Sequence, residues 1–348
     1  MATTPEAYVH LSTDKTTLTF YYDTLRADRN GTTWGIRDWD AFFSCPAWAG
    51  DFNPRSTTVL TAVFDASFRD FRPTTTEGWF YELNLLERIE GLEHLNTSQV
   101  TSMGWMFKGC GSLTSLDLSR FDTSKVTSMS GLFSGCGSLT SLDLTRFDTS
   151  KVTDMGWMFS GCGSLTSLDL TRFDTSQVTD MGWMFSGCGS LTSLGLTRFD
   201  TSQVTDMEEM FSGCGSLTSL DLTCFDTSKV TDMRGMFEGC GSLTSLDLSS
   251  FDTSEVSYMR GMFYSCKSLT ALDLSSFDTS NVTDMRGMFY SCESLTTIYC
   301  NSSWSDRLSD DMFSGCNSLR GAATNVGNSY DVNMANPETG YFTKKVLS

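Results

Sequence analysis

Three kinds of side chain recur along this chain at a spacing that could support chemistry. Cys110, Cys136, Cys162, Cys188, Cys214, Cys240, Cys266 and Cys292 stand 26 residues apart, and these eight belong to a total of 12 cysteines. Asp117, Asp143, Asp169, Asp221, Asp247 and Asp273 keep the same interval, with Gly195 interrupting them. Trp105, Trp157 and Trp183 share a third column with Gly131, Glu209, Gly235, Gly261 and Gly287. Thiols in series could pair as disulfides or hold a metal, carboxylates in series could hold a cation, and grouped exposed aromatics form contact hot spots.

The metal and catalytic readings are the weakest. No C-x-x-C occurs, and the histidines, His10 and His94, lie outside the cysteine series. G-x-S-x-G, phosphate-loop and H-E-x-x-H motifs are absent from the sequence. A repeated aspartate column also differs from the single asymmetric constellation that an active site needs. The chain is therefore expected to be no enzyme and to carry no cofactor and no metal. The ladder cysteines read as small buried hydrophobes with free thiols. Stacking would bring their Cα atoms near disulfide range, but bonding also needs suitable Cβ directions. Cys45, Cys224 and Cys300 are off the ladder, and Cys224 replaces an Arg carried by four earlier units, so it is expected to be partly exposed and reactive.

The element that positions these columns is a 26-residue unit, LTSLDLSRFDTSKVTSMSGLFSGCGS in its first copy, repeated seven times over residues 113–294. A fixed period of this kind marks a solenoid. Leu116 and Leu118 alternate as in a strand and point inward, with Asp117 outward. Val126, Met129, Leu132, Phe133 and Cys136 then follow a three-and-four spacing that predicts a short helix. Thr205 followed by Glu208 reads as a capping box, and Gly135 as a helix stop. Asp122, Thr123 and Ser124 read as a structural turn. The expected fold is thus an α/β repeat solenoid, leucine-rich-repeat-like, with one short strand and one short helix per coil and non-repeat caps at both ends. One coil cannot bury its own apolar faces, so neighbours and caps must do so. Residues 1–57 are the expected N-terminal cap, with strands around Leu18–Thr19–Phe20–Tyr21–Tyr22 and an Asn30–Gly31 hairpin signal. Residues 58–112 are degenerate first coils, 295–320 a degenerate last coil, and 321–348 a C-terminal cap or tail closing on Gly340, Tyr341, Phe342 and Thr343.

The recurring F-D-T-S-x-V-T-D-M-x-x-M-F-x-G-C-x-S-L-T-S-L-D-L, together with Thr17 to Asp23 and the Gly340 to Thr343 ending, resembles the BspA-like leucine-rich repeat surface proteins. The resemblance covers nearly the whole chain. It implies a secreted or surface-displayed bacterial protein that adheres to host matrix proteins and to other cells, and it supplies no catalytic residues. The start, Met1–Ala2–Thr3–Thr4–Pro5, lacks the charged and apolar regions of a secretory signal. Either that signal has been removed, which the family's usual export favours, or the chain is cytoplasmic and serves as an intracellular interaction scaffold.

Forty-two acidic against 24 basic residues give a net charge of −18, which disfavours nucleic acid and anionic membranes as partners. No apolar run is long enough for membrane insertion. The expected partner is a protein of the extracellular matrix or of another cell's surface, with a glycan as the alternative. Ice binding is disfavoured, because Thr123 and Ser124 are adjacent and cannot both face out of one strand. The aspartate column pairs with Arg120, Arg146, Arg172 and Arg198 only in its first half, so Asp221, Asp247 and Asp273 are candidates for a cation or basic-protein contact; the alternative is a solvated acidic face. Trp105, Trp157 and Trp183 are candidates for a protein or glycan contact, and the alternative is that each indole lies flat on a neighbouring coil over a glycine such as Gly131. The slot before each Trp changes in parallel, from Gly104, Gly156 and Gly182 to Arg234, Arg260 and Arg286, so the two halves differ chemically.

Overall fold

Each repeat closes one coil, and within each of the two compact units successive coils stack with like residue over like. The computed structural model describes residues 4–40, 45–49, 58–305, 308–322 and 330–345, so parts of both expected caps (1–3, 41–44, 50–57, 323–329 and 346–348) lie outside the described residues. The chain forms two compact units, Met1–Phe173 and Asp174–Ser348. In the first, the rings of Phe80, Phe107, Phe133 and Phe159 stack at 5.4, 5.8 and 5.9 Å. In the second, Phe185, Phe211, Phe237, Phe263, Phe289 and Phe313 stack at 5.4 to 5.8 Å. Val126, Met129, Leu132, Cys136 and Leu139, with their equivalents, are buried beside these rows. Each large apolar side chain contributes about 1.5–3 kcal/mol only when the next coil covers it. Leu116 and Leu142 are half-buried, whereas Leu168, Leu194, Leu220 and Leu246 at the same position are buried.

The helix expected in every coil is replaced by consecutive tight turns. In one coil, the N–H groups of Met106 and Cys110 donate to the carbonyls of Met103 and Phe107, three residues back. The third residue of each turn is left-handed, Trp105 at φ 57° and Gly109 at φ 76°, as type II turns demand. Because handedness alternates, the N–H groups of Met103, Trp105, Phe107 and Gly109 point along the stack and donate to Ser128, Ser130, Leu132 and Ser134 of the next coil. An α-helix would spend those amides internally; here they join coil to coil. The turn spacing imitates a helical period, and that is why the sequence reads as helix. The Thr205–Glu208 capping box gives way to an Asx turn, with Asp206 Oδ1 accepting from Glu208 N at 2.8 Å. Gly135 is left-handed at φ 74°, but as a turn residue whose own N–H reaches Ser160 O.

Regular strands are likewise confined to a few segments. The first unit carries β1 (Glu6–Leu11), β2 (Thr17–Asp23), β3 (Thr32–Gly35), β4 (Trp39–Asp40), β5 (Cys45–Pro46), β6 (Thr61–Phe64) and β7 (Arg88–Glu90). Its main sheet has the order β3-β1-β2-β6-β7. β2 runs parallel to β6 with Phe20 opposite Phe64, and their rings stack at 4.5 Å, so the non-repeating start covers the first coil. The β1–β2 hairpin closes at residues 12–16, where Asp14 accepts from Thr16 N and the Ser12 hydroxyl. The Asn30–Gly31 signal leads instead into β3, which pairs with the other edge of β1. In the second unit β8 (Ala271–Asp273), β9 (Thr297–Tyr299) and β10 (Phe342–Thr343) form a parallel sheet in the order β10-β9-β8. β10 closes that end, with Phe342 edge-on to Trp304 at 4.9 Å.

Two polar rows reinforce the stack. Buried Thr123 donates its hydroxyl to Asp148 O at 3.0 Å and accepts from Asp148 N at 2.8 Å, and Thr201 does the same to Asp226. Asp122 Oδ1 accepts from Ser124 N, so the Asp–Thr–Ser tripeptide holds its turn. Each ladder thiol with a resolved partner donates to a Phe carbonyl of the preceding coil, as Cys136 to Phe107 and Cys240 to Phe211, both at 3.1 Å. None of the 12 cysteines is joined in a disulfide, and burial pushes the thiols of Cys214 and Cys266 up to about 12.

Candidate functional site

The outward aspartates are turn-makers before they are anything else. Asp221 Oδ1 accepts from Thr223 N at 3.1 Å and from its hydroxyl at 2.7 Å; Asp247 accepts from Ser249 N and Asp273 from Ser275 N. The Thr223 and Ser249 hydrogen bonds hold the Asp221 and Asp247 carboxyls below the ordinary range. Asp273 also has a cationic partner, Lys345 at 2.5 Å. The three candidates thus lie on one face of the second unit, each with a local role.

The tryptophan column occupies left-handed backbone. Trp105, Trp157 and Trp183 have φ of 57°, 62° and 60°, where Gly131, Gly235, Gly261 and Gly287 fill the same slot. A non-glycine residue there is strained by roughly 1–2 kcal/mol. Trp105 lies over Gly131, whose added Cβ would stand 2.0 Å from the indole ring, and Lys108 sits 4.8 Å from the same ring. Trp157 is 37% exposed. Trp183 is half-buried and hydrogen bonded to the Glu208 carboxylate. Trp105 and Trp157 belong to the first unit and Trp183 to the second.

A cleft of about 640 Å³ lies on the turn side of the second unit. Its size is that of a ligand pocket. Gly235, Gly261 and Gly287 form its floor; Arg234, Arg260 and Arg286 line one side, and Glu238, Tyr264 and Tyr290 the other. Glu208 and Glu209 stand at one end and Asp310 and Asp311 at the other. Tyr264 and Tyr290 stack at 4.7 Å. The in-register coils generate these rows, and the glycines leave them open. A Cβ added at Gly261 or Gly287 would meet nothing nearer than 3.6 Å, so the cost of a side chain there is that of the left-handed backbone, at φ 63° and 60°.

The three arginines are not equivalent. Asp232 accepts from Arg234 N and pairs with its guanidinium at 2.6 Å, while Glu208 adds a second contact at 3.2 Å. Asp284 holds Arg286 in the same way at 2.5 Å. In the middle coil the position two residues before the arginine is Tyr258, so Arg260 has no such carboxylate; among the described residues it makes no ion pair within 4.0 Å, and it is exposed. At the end of the cleft, the Glu209 side chain lies over Gly235 with its backbone at φ 48°. Burial, then the neighbouring Glu238 charge, push the Glu209 carboxyl up to about 7.

The sequence had flagged the change from Gly to Arg along this column without marking Arg260 as its unpaired member. The available signal was one residue, Tyr258 in a column of aspartates. Among the described residues, no group of three or more His, Cys, Asp or Glu is placed to hold a metal ion, and no helix is long and apolar enough to cross a membrane.

The profile of a family described as "Mycoplasma protein of unknown function, DUF285" matches residues 74–193, 159–245, 183–304 and 218–326. No curated protein matches the chain. Among solved structures, a leucine rich cell surface protein from Faecalibacterium prausnitzii A2-165 is similar at 17% identity over 96% of this chain and 97% of that one, with a TM-score of 0.40. A leucine-rich repeat protein from Eubacterium ventriosum ATCC 27560 is similar at 16% identity over 94% and 97%, with a TM-score of 0.37. A chain of a TLR13–ssRNA13 complex is similar at 16% identity over 83% and 51%, with a TM-score of 0.26.

Proposed function

Because the chain belongs to the family described as "Mycoplasma protein of unknown function, DUF285", whose description assigns no activity, we propose from its geometry that it is a non-catalytic recognition protein whose binding site is the glycine-floored cleft of the second unit. The observation that carries this reading is the cleft itself: stacked coils present a fixed row of arginines opposite stacked tyrosines, and Arg260 makes no ion pair within 4.0 Å among the described residues, although Glu238 and Asp284 lie within reach of its charge. A rigid scaffold with an arginine outside any ion pair in a concave site is built for a complementary group from outside. Both histidines are engaged elsewhere, His10 with Asn30 O and His94 with Phe64 O in the first unit, so neither serves the cleft as a base. Resemblance of the repeats to BspA-like proteins extends the proposal to a place on a bacterial surface and to adhesion to host or partner-cell molecules. Trp105, Trp157 and Trp183 are proposed as a secondary contact, since strained residues retained at an exposed turn mark sites of function more often than chance.

The test is binding of the purified chain to immobilised matrix proteins, glycans and intact cells, repeated with Gly261→Trp. That variant fills the cleft using a residue and a backbone conformation that the chain already uses at Trp105, Trp157 and Trp183. Saturable binding that Gly261→Trp removes, with an unchanged circular dichroism spectrum, is the expected result. Binding that survives in Gly261→Trp would overturn the assignment.

A further inference from the structure

We propose that the ligand of this cleft is an acidic saccharide, a short glycan whose sugar carboxylate pairs with Arg260. The inference rests on the reading of the cleft as a recognition site and adds the chemistry of what it recognises.

Charge sets the first constraint. Arg260 is exposed and makes no ion pair within 4.0 Å among the described residues, a state it shares outside the cleft with Arg120, Arg146, Arg172 and Arg198. Its two neighbours are neutralised by Asp232 with Glu208 and by Asp284. The cleft therefore offers at its centre one arginine outside any ion pair, its charge felt by Glu238 and Asp284, while Glu208, Glu209, Asp310 and Asp311 at its ends repel further anions. A ligand with a single anionic group fits this pattern, and a polyanion does not.

The second constraint comes from the backbone. Floor amides of Gly235, Gly261 and Gly287 are already donated to Arg260 O, Arg286 O and Asp310 O of the next coil, at 2.8, 2.9 and 3.0 Å. No floor N–H is left to pair with an extended peptide, so the strand-addition mode by which many peptides bind is closed. Recognition must pass through side chains. Those present are carboxylates, which accept from hydroxyl groups, phenols, which donate and accept, and three guanidiniums, of which Arg260 is outside an ion pair and can take a carboxylate in a two-point fork. A hydroxyl-rich ring bearing one carboxylate matches all three. Coil steps of roughly 4.8 Å give the three-glycine floor a length of about 10 Å, room for two sugar rings.

The experiment is isothermal titration of the full chain with a glucuronic acid-terminated disaccharide, with its neutral glucose counterpart, with sialyllactose against lactose, and with a blocked peptide carrying one Asp. The acidic sugars are expected to bind at least about tenfold more tightly than their neutral counterparts, the scale of one charge-assisted bidentate contact. Arg260→Ala is expected to remove that preference and Arg260→Lys to keep part of it, since Lys retains the charge and loses the fork. Equal binding of neutral and acidic sugars, an unaffected Arg260→Ala, or a preference for the Asp peptide would overturn the proposal. If no sugar binds while a protein or cell partner is captured in a manner that Gly261→Trp removes, the saccharide inference falls and the recognition reading stands. If Gly261→Trp changes nothing, both fall.

Discussion

The Tyr258 ring lies 5.2 Å beneath the Arg234 guanidinium, in the bridge position that Asp232 and Asp284 hold in the adjoining coils. One substitution in a repeated column thus supports one arginine by its ring and deprives another, Arg260, of its carboxylate. Tyr258→Asp is expected to rebuild the pair found between Asp284 and Arg286 and to neutralise Arg260. Stability should move by less than about 1 kcal/mol, as for other partly exposed pairs. Binding of an anionic ligand should weaken about tenfold, measured by titration calorimetry; an unchanged affinity would show that the absence of an ion pair at Arg260 is irrelevant.

Stacking of the coils depends on the threonine row. Thr201 is 1% exposed and both donates to and accepts from the Asp226 backbone at 2.8 Å. Thr201→Val keeps the shape and removes both bonds, leaving the part-buried Asp226 amide and carbonyl without that partner. The expected loss is about 2–4 kcal/mol in urea-induced unfolding, and Thr201→Ser should recover most of it. A loss under roughly 0.5 kcal/mol would mean that the row is incidental.

The cysteines should differ sharply in reactivity. Ladder thiols are buried and hydrogen bonded, whereas Cys224 is half-exposed with its Sγ on Leu196 O at 3.2 Å. A thiol-exchange reagent at pH 8 is expected to label Cys224 first, about one thiol per native chain, and the ladder only on unfolding. Burial raises the folded thiol above its ordinary value of 9.0, up to about 12 for Cys214. The native state then holds more protons than the unfolded chain in that range, so stability falls as the pH rises from about 9 toward 12. Rapid native labelling of several thiols would contradict the packing.

Glu209 gives the cleft a pH dependence of its own. Its carboxyl is raised from the ordinary 4.5 to about 7 by burial, then by Glu238 and Glu208, while Ser212 and Arg234 oppose the shift. In this group the folded state binds the extra proton, so its stabilising neutral form is lost as the pH climbs through 4.5 to 7. Glu209→Gln should melt at the same temperature as the parent at pH 4 and at a higher one at pH 8. Equal melting temperatures at both values would remove the assigned shift.

The amino-acid sequence made much of this legible and concealed the rest for identifiable reasons. Phe133, Met129, Leu139 and Cys136 declared the interior rows through their period, and Asp122 with Ser124 declared a turn. The helix was misread because left-handed turns at Trp105 and Gly109 place apolar residues at the same three-and-four spacing, and only backbone handedness separates the two. The Asn30–Gly31 hairpin was misplaced because Asp14 closes the strand pair by a side-chain bond that dipeptide rules do not weigh. At the cleft, Arg234, Arg260 and Arg286 were visible as a column, but their partners two residues earlier become apparent only when the Asx turns are seen to fold back on them. Tyr258 then acquires its meaning.

The most direct measurement is hydroxyl-radical footprinting of the tyrosines, with and without the partner that the chain captures. Tyr264 and Tyr290 line the cleft, while Tyr299, in β9 beside Asp273, is 37% exposed outside it. Recognition through the cleft predicts that bound partner protects Tyr264 and Tyr290 from oxidation several-fold and leaves Tyr299 unchanged. Protection of Tyr299 with Tyr264 and Tyr290 still reactive would place recognition on the aspartate face and contradict the account.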